Sequence, residues 1–143
     1  FMPVSDREWS IYVDVAEKMG FSKQILDLFF SGLVETPMLA GVIKPVIIIP
    51  YKNFTDNQLR NILRHELTHY RRKDIPVKWL FAFARAIHWF NPVSYFVFNE
   101  VSRACELACD EAVVKGCRGY DKRGYGETLI TVATNERLPF GVV

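Results

Sequence analysis

Apolar residues recur every three or four positions in two parts of the chain, and this spacing predicts helices. One helix is predicted over residues 6–19, where a capping box that begins at Ser5 precedes the apolar positions. Another is predicted after a second capping box, which begins at Thr55, and extends to about Arg72. Its polar face carries two histidines, while its apolar face is predicted to pack into the core through Leu59, Ile62 and Leu63.

Residues 25–50 follow a different pattern, in which short apolar runs are separated by glycine and proline. Residues 46–49 are β-branched and lie between prolines, which predicts a strand, whereas residues 25–30 fit either a strand or a helix. The prolines favour a small sheet with an exposed edge. That edge is predicted over residues 38–42, where the strand could pair with an extended substrate or serve packing alone. Its residues are Met38, Leu39, Ala40, Gly41 and Val42.

The stretch from Trp79 to Phe98 is strongly apolar but contains charged and polar residues, so it is a poor transmembrane span. It is predicted to divide into two helices, with Asn91 as the cap and Pro92 in the first turn of the second helix. The first helix is predicted to begin with Asp74 as its N-cap. The pair fits either a buried helical hairpin or one partly embedded in a bilayer surface. Its aromatic residues and flanking basic groups support the second alternative.

The second of these helices is predicted to end near Lys115, before Gly116, and a last helix is predicted over about residues 125–135. The predicted fold class is therefore α+β and mostly helical, with a small sheet packed beside the helix that carries the two histidines. A length of 143 residues fits a single domain, residues 1–143. The abrupt start at Phe1 suggests that this domain is a fragment of a larger protein.

The composition of the chain excludes few classes of function. The net charge of +2 does not argue for direct nucleic-acid binding. Cys105 and Cys109 lie one helical turn apart, which is more typical of buried reduced thiols than of a thiolate metal site. A basic cluster around the histidine helix indicates either a solvated face or a surface toward anionic lipid, and it consists of Arg60, Arg64, Arg71, Arg72, Lys73 and Lys78.

The chemistry is carried by His65, Glu66 and His69, which form the sequence H-E-x-x-H. On a helix the two histidines lie one turn apart on the same face, so both imidazoles can reach one metal ion, most often Zn²⁺. Glu66 projects beside that ion and can take a proton from a metal-bound water. The alternative is a pair of surface histidines on a polar helix.

A catalytic zinc takes three protein ligands and leaves one position for water. Glu106 is the best candidate for the third ligand, and it shares one helix face with Asp110. Asp110 would accept a hydrogen bond from the far nitrogen of His65 and fix the tautomer of that ring. A further donor should stabilise the oxyanion, and the candidates are Tyr125, Tyr120, Arg103 and His88.

Four separated motifs resemble the M56 family of membrane metallopeptidases, the BlaR/MecR-type sensor-transducers. They are H-E-L-T-H from His65, H-W-F-N-P from His88, E-x-x-x-D from Glu106 and E-T-P-x-x-x-G-x-x-K-P-x-I-x-x-P from Glu35. The likeness covers most of residues 35–135 and is specific, because the motifs agree in order and spacing.

The resemblance implies a gluzincin-like fold around one Zn²⁺, at the cytoplasmic face of the membrane in a bacterial multi-spanning protein, beside its transmembrane helices. In this family an external sensor binds a β-lactam and activates the protease, which cleaves a repressor or the receptor itself. Two alternatives stay open, a housekeeping membrane protease of the M48 type and a zinc-bound scaffold without catalysis. The H-W-F-N-P segment favours the sensor-transducer over the first, and the intact Glu66 argues against the second.

Overall fold

The computed structural model describes residues 4–21, 26–116 and 119–136, with the side chains of the last range described from 122 to 134. The fold is α+β and mostly helical, with one small sheet, as predicted. Its elements are α1 (Asp6–Lys18), β1 (Asp27–Ser31), β2 (Met38–Ala40), β3 (Val46–Pro50), α2 (Asp56–Arg72), α3 (Asp74–Ile87), α4 (Pro92–Gly116) and α5 (Gly119–Glu136).

Both predicted capping boxes are present and fix where α1 and α2 begin. The backbone N–H of Glu8 donates to the Ser5 hydroxyl at 3.4 Å, and the backbone N–H of Ser5 donates to the Glu8 carboxylate at 3.0 Å. Thr55 and Gln58 form the equivalent bonds at 3.3 and 3.0 Å. These bonds satisfy backbone donors that the first turn of a helix leaves unpaired.

The sheet has the strand order β1-β3-β2, with β1 parallel and β2 antiparallel to β3. The central position of β3 explains its run of isoleucines, since Ile47 and Ile49 are fully buried. The ambiguous run at residues 25–30 is resolved as a strand, because β1 pairs with β3 along its whole length. Residues 22–25 lie outside the described part of the chain.

The predicted edge strand forms over Met38–Ala40, and among the described strands it pairs with β3 on one side only. Gly41 and Val42 lie past its end, so the predicted strand was two residues too long. Gly41 has a φ of +92°, and a Cβ there would lie 2.6 Å from the carbonyl oxygen of Lys44. This turn requires glycine and ends the strand.

The main core lies between α1, the sheet and α2. The predicted apolar face of α2 is buried through Leu59, Ile62 and Leu63, which pack with residues of α1 and the strands. Tyr12 of α1 is also fully buried, and its hydroxyl donates to the carbonyl of Leu26 at 2.8 Å. Burial raises the pKa of this tyrosine to about 12. The polar face of α2 is thereby turned toward α4 and α5.

Helices α3 and α4 form the predicted hairpin, divided at Asn91 and Pro92. The side chain of Asn91 caps α4, since its Oδ1 accepts a bond from the N–H of Val93 at 3.0 Å. The prediction of Asp74 as the N-cap of α3 was wrong. Lys73, with a left-handed φ of 59°, occupies that position, and the carboxylate of Asp74 bonds to His69 instead.

The two predicted C-terminal helices are both present. Helix α4 ends at Gly116, as predicted, whereas α5 begins at Gly119, earlier than the predicted residue 125. The predicted frayed end, residues 138–143, lies outside the described range. None of the helices in the described ranges is both long and apolar enough to cross a membrane.

Candidate metal centre

Two histidines of α2 and one glutamate of α4 converge where these helices meet. The rings of His65 and His69 meet edge to face, with centroids 4.6 Å apart, and their Nε2 atoms are separated by 3.0 Å. The Oε2 atom of Glu106 lies 3.2 Å from Nε2 of His69 and 3.6 Å from Nε2 of His65. The fold therefore brings together the three side chains that the sequence predicts as ligands.

This donor set fits a zinc ion. Two ligands that bind a tetrahedral Zn²⁺ at about 2.0–2.1 Å are separated by about 3.3 Å. The three separations in this site span 3.0 to 3.6 Å. Two imidazoles and one carboxylate also form a ligand set typical of catalytic zinc. All three side chains line one cavity, from which a water or substrate could reach a fourth coordination position.

The partners of the outward-facing Nδ1 atoms leave both Nε2 atoms available to a metal. Nδ1 of His69 lies 2.7 Å from Oδ2 of Asp74, and an ionised carboxylate only accepts, so this nitrogen carries the hydrogen. Nδ1 of His65 lies 2.8 Å from the hydroxyl of Tyr125, which itself donates to Asp110 at 2.8 Å. That hydroxyl can therefore accept a hydrogen bond from Nδ1. When a metal displaces the proton held at Nε2, each ring is therefore in the tautomer whose Nε2 bears a lone pair.

Asp110 lies beside the far nitrogen of His65, as predicted, at 3.3 Å from Nδ1. The sequence did not indicate that Tyr125 would contact both of them. The phenol is buried and approaches both the ring and the carboxylate more closely than they approach each other. Tyr125, predicted as a possible oxyanion donor, is therefore placed to orient His65.

Acidic neighbours favour positive charge on the two histidines. Burial opposes this charge, but hydrogen bonds to Cys109 and Glu106 outweigh it and raise the pKa of His65 to about 10. The same balance, with Asp74 added, raises the pKa of His69 to about 11. Bonds to the histidines hold the pKa of the Glu106 carboxyl well below its usual range. Because both Nε2 atoms point into the same space, a divalent cation would compete with protons for it.

Glu66 lies beside the histidines, in the wall of the same cavity. Its side chain is buried, and this burial raises the pKa of the carboxyl, while the nearby histidines partly offset the effect. A carboxyl group with a raised pKa can accept and release a proton closer to neutral pH than an exposed glutamate can. Glu66 therefore has the position and the environment of a general base.

The cavity has a volume of about 720 Å³ and extends from the metal-ligand candidates to the edge strand β2. Met38 and Leu39 line it on the strand side, and Leu129 and Val132 of α5 line it on another. Its walls are thus mainly apolar, with the charged groups gathered around His65. This combination is typical of a site that binds an extended chain and carries out chemistry at one point.

Two functional side chains were missed from the sequence. Asp74 supports His69, and the available signal was an acidic residue directly after the histidine helix. Lys78 donates from Nζ to Oε1 of Glu106 at 2.7 Å, so Oε2 alone faces the histidines. Burial opposes the charge of Lys78, but this bond outweighs it and raises the pKa. The basic cluster is therefore not one solvated face.

The cysteines follow the predicted pattern in part. Cys105 and Cys109 are buried free thiols, while Cys117 lies outside the described residues. Cys109 also belongs to a group with His65 and His69 whose donor atoms all lie within 4.8 Å of one another. Its sulfur is 3.8 Å from Nδ1 of His65, the nitrogen that faces away from His69. Cys109 is thus an alternative donor, but it does not line the cavity.

Two of the other predicted oxyanion donors, Arg103 and His88, are not brought to the cavity. Arg103 is exposed on α4, and His88 is exposed in the turn between α3 and α4, where its ring contacts Phe90. Neither residue lines the cavity. The side chain of Tyr120 lies outside the described part of the chain.

Comparison with known proteins agrees with this geometry. A family model described as BlaR1 peptidase M56 matches residues 5–142. The chain is 30% identical over 123 residues to the regulatory protein BlaR1 of Bacillus licheniformis, an alignment that covers 85% of this chain. It is 29% identical over 116 residues to the methicillin resistance mecR1 protein of Staphylococcus aureus, which covers 79% of this chain. The chain spans about one fifth of the length of each relative. It belongs to the BlaR1-type M56 peptidase family.

Proposed function

We propose that this chain is the catalytic domain of a zinc-dependent endopeptidase within a membrane-bound sensor-transducer. The observation that carries the proposal is the meeting of His65, His69 and Glu106 with Glu66 in one cavity beside a free strand edge. Three donors for one metal and a buried carboxylate beside them are the parts that metal-assisted peptide hydrolysis requires.

In the proposed mechanism His65 and His69 would hold one Zn²⁺ through Nε2, and Glu106 would hold it through Oε2. The ion, when bound, supplies a Lewis acid that polarises the scissile carbonyl and lowers the pKa of the attacking water. Glu66 accepts the proton of that water and passes it to the nitrogen of the leaving amine. Asp74 keeps the ring of His69 oriented during these steps.

The edge strand β2 gives the substrate a place to bind. One of its sides pairs with β3, and Met38 and Leu39 line the cavity. An extended peptide that pairs with the other side would present its carbonyl groups toward the ligand residues on α2. We infer that main-chain pairing with β2 positions the scissile bond, while the apolar wall from α5 selects side chains.

At the level of the whole protein, the relatives suggest a sensor-transducer in which residues 1–143 form one domain at the cytoplasmic face of a bacterial membrane. One relative is named a regulatory protein and another a methicillin resistance protein. Methicillin is a β-lactam, so an external β-lactam is the proposed signal. The proposed substrate is a transcriptional repressor or the receptor itself. Adjoining transmembrane helices are the proposed neighbours, and no direct contact with nucleic acid is proposed.

The two alternatives make different predictions. Membership of the M56 family favours a sensor-transducer over a housekeeping protease of the M48 type. A zinc-bound scaffold without catalysis would not need the buried, cavity-facing carboxylate of Glu66. The scaffold alternative is therefore the one that experiment must exclude.

The test uses the full-length protein in membranes, incubated with a candidate repressor and a β-lactam, with cleavage products mapped by mass spectrometry. Wild-type protein should cleave the repressor or itself, and cleavage should stop on metal chelation and resume with added Zn²⁺. A Glu66→Gln protein should keep the metal and cleave neither. Metal binding without cleavage of either protein by the wild type would support the scaffold.

A further inference from the structure

Helix α3 exposes a continuous apolar stripe that no part of the described chain covers. Trp79, Leu80, Phe83 and Ile87 are each between 56% and 66% exposed. At about 100° per residue, these four positions fall within roughly one third of the helix circumference. Single exposed apolar side chains are ordinary, but a row of large ones along one helix face marks a contact surface.

The same surface continues around the turn and onto α4. Trp89 and Phe90 in the turn are each 70% exposed, and Val93 and Phe96 at the start of α4 are 60% and 67% exposed. The rings of Trp89 and Phe90 meet edge to face with centroids 6.3 Å apart, which makes the turn a compact aromatic tip. The hairpin thus combines an apolar face with an aromatic end.

Three backbone carbonyls of this tip lie within hydrogen-bonding distance of hydroxyls of the hairpin. The hydroxyl of Ser94 donates to the carbonyls of His88 and Asn91 at 3.1 and 2.7 Å, and the hydroxyl of Tyr95 donates to the carbonyl of Trp89 at 3.1 Å. An exposed turn in water has no need of such internal bonds, since water can serve its carbonyls. A turn placed in lipid does need them, because each unsatisfied backbone group there costs several kcal/mol.

Arg85 and Lys78 are held in contacts within the hairpin, whereas Glu100 and Arg103 are exposed on α4, about 12 and 17 Å along the helix from its first residue. The guanidinium of Arg85 stacks over the rings of Tyr95 and Phe98, at 5.0 and 4.7 Å from the centroids. Lys78 is paired with Glu106. Exposed basic side chains stand where α2 meets α3, at the end opposite the tip, and these are Arg71, Arg72 and Lys73. Positive charge at the base complements anionic lipid headgroups.

We propose that the α3–α4 hairpin inserts tip-first into one leaflet of a bilayer that contains anionic lipid. Helix α3 has 14 residues, which gives a length of about 21 Å. One leaflet contributes about 15 Å of hydrocarbon, beyond which the headgroups begin. With Trp89 and Phe90 in the hydrocarbon, the base with Arg71 and Lys73 reaches the headgroup layer.

This placement would set the catalytic cleft close to the membrane surface. Glu106 lies fourteen residues after the start of α4, about 21 Å from the tip along the helix. Asp74 and Lys78 lie at the matching end of α3. The scissile peptide bond would then lie near the headgroups, so the domain would bind its substrates at the membrane surface.

The test measures binding of the chain to vesicles of phosphatidylcholine, with and without phosphatidylglycerol, by co-sedimentation. Binding is expected, and it should be stronger with the anionic lipid. Trp89→Gln combined with Phe90→Gln should reduce binding more than tenfold on both vesicles. Arg71→Gln combined with Lys73→Asn should reduce it only on anionic vesicles, by about fivefold for each charge removed.

Depth is measured by quenching of tryptophan fluorescence with lipids brominated along the acyl chain, in a Trp9→Phe background. Trp89 is observed alone in the Trp79→Phe protein, and Trp79 is observed alone in the Trp89→Phe protein. Bromine near the end of the acyl chain should quench Trp89 more than it quenches Trp79. Equal quenching of the two would overturn tip-first insertion. Self-association of the chain without vesicle binding would assign the stripe to a second copy and overturn the proposal.

The matched control replaces Leu33 and Ile43 by glutamine. These side chains are 97% and 94% exposed on loops of the sheet, so this double variant removes a similar exposed apolar area elsewhere. Its vesicle binding should equal that of the wild type, and an equal loss in both double variants would overturn the assignment to the hairpin. Glu66→Gln should bind vesicles normally, so failure of this inference is distinct from failure of the peptidase proposal.

Discussion

Oδ2 of Asp74 lies 2.7 Å from Nδ1 of His69, on the side of the ring that faces away from the other histidine. Both side chains are almost completely buried, so water does not compete for this bond. The contact joins the first residue of α3 to the last turn of α2. It explains why Asp74 does not cap its own helix, while Lys73 ends α2 in a left-handed conformation at the junction.

Replacement of Asp74 by asparagine should weaken Zn²⁺ binding by about 10–100-fold, because an outer partner fixes both the tautomer and the basicity of a histidine ligand. The measurement is competition with a chromogenic chelator. Glu111→Gln, which changes an exposed carboxylate on α4, should leave the affinity unchanged. Equal affinities of wild type and Asp74→Asn would show that the His69 ring does not depend on this bond.

Replacement of Glu66 by glutamine should lower the rate of peptide cleavage by about 10²–10⁴-fold, the usual contribution of a general base. Metal content should stay at one zinc per chain, because Glu66 is not placed as a ligand. Metal analysis and cleavage are measured on the same sample. Loss of zinc together with activity would mean that Glu66 holds the ion or the local fold.

Replacement of Glu106 by alanine should weaken Zn²⁺ binding by more than the 10–100-fold expected for an outer partner. Cys109→Ser tests the alternative donor, and it should retain zinc, because the Cys109 sulfur contacts Nδ1 of His65 at 3.8 Å and does not line the cavity. Chelator competition is the common measurement. If Cys109→Ser weakens zinc binding more than Glu106→Ala does, the third ligand is Cys109 and not Glu106.

Zinc binding should release protons and strengthen as pH rises. The pKa of His65 is raised to about 10 and that of His69 to about 11, so at pH 7 the metal-free site retains a proton that zinc must displace. Calorimetry in two buffers of different ionisation enthalpy should detect this release. An affinity independent of pH between 6 and 8 would contradict it.

The same pKa shifts determine how the free energy of unfolding of the metal-free chain depends on pH. Each folded-state histidine pKa is raised above its ordinary value of 6.5, so the stabilisation is complete below pH 6.5 and is lost as pH rises through about 10 for His65 and about 11 for His69. Denaturant unfolding of the chelator-treated chain should show a falling free energy of unfolding over this range. His69→Asn should flatten the profile, and an unchanged profile would remove this histidine as its cause.

Local features of this protein were determined by sequence alone. The spacing of His65, Glu66 and His69 fixed their common face, because helical geometry depends only on neighbouring residues. The capping boxes at Ser5 and Thr55 fixed where two helices begin, since their bonds span only three positions.

The tertiary structure decided which distant groups meet. Only packing brings Tyr125 of α5 into contact with both His65 and Asp110, because these contacts join residues 60 and 15 positions apart. Only the turn after α2 places the Asp74 carboxylate against the His69 ring, where it does not cap its own helix. The apolar pattern of α3 and α4 predicted a hairpin but left its exposure open, since periodicity gives the direction of a face and packing decides what covers it.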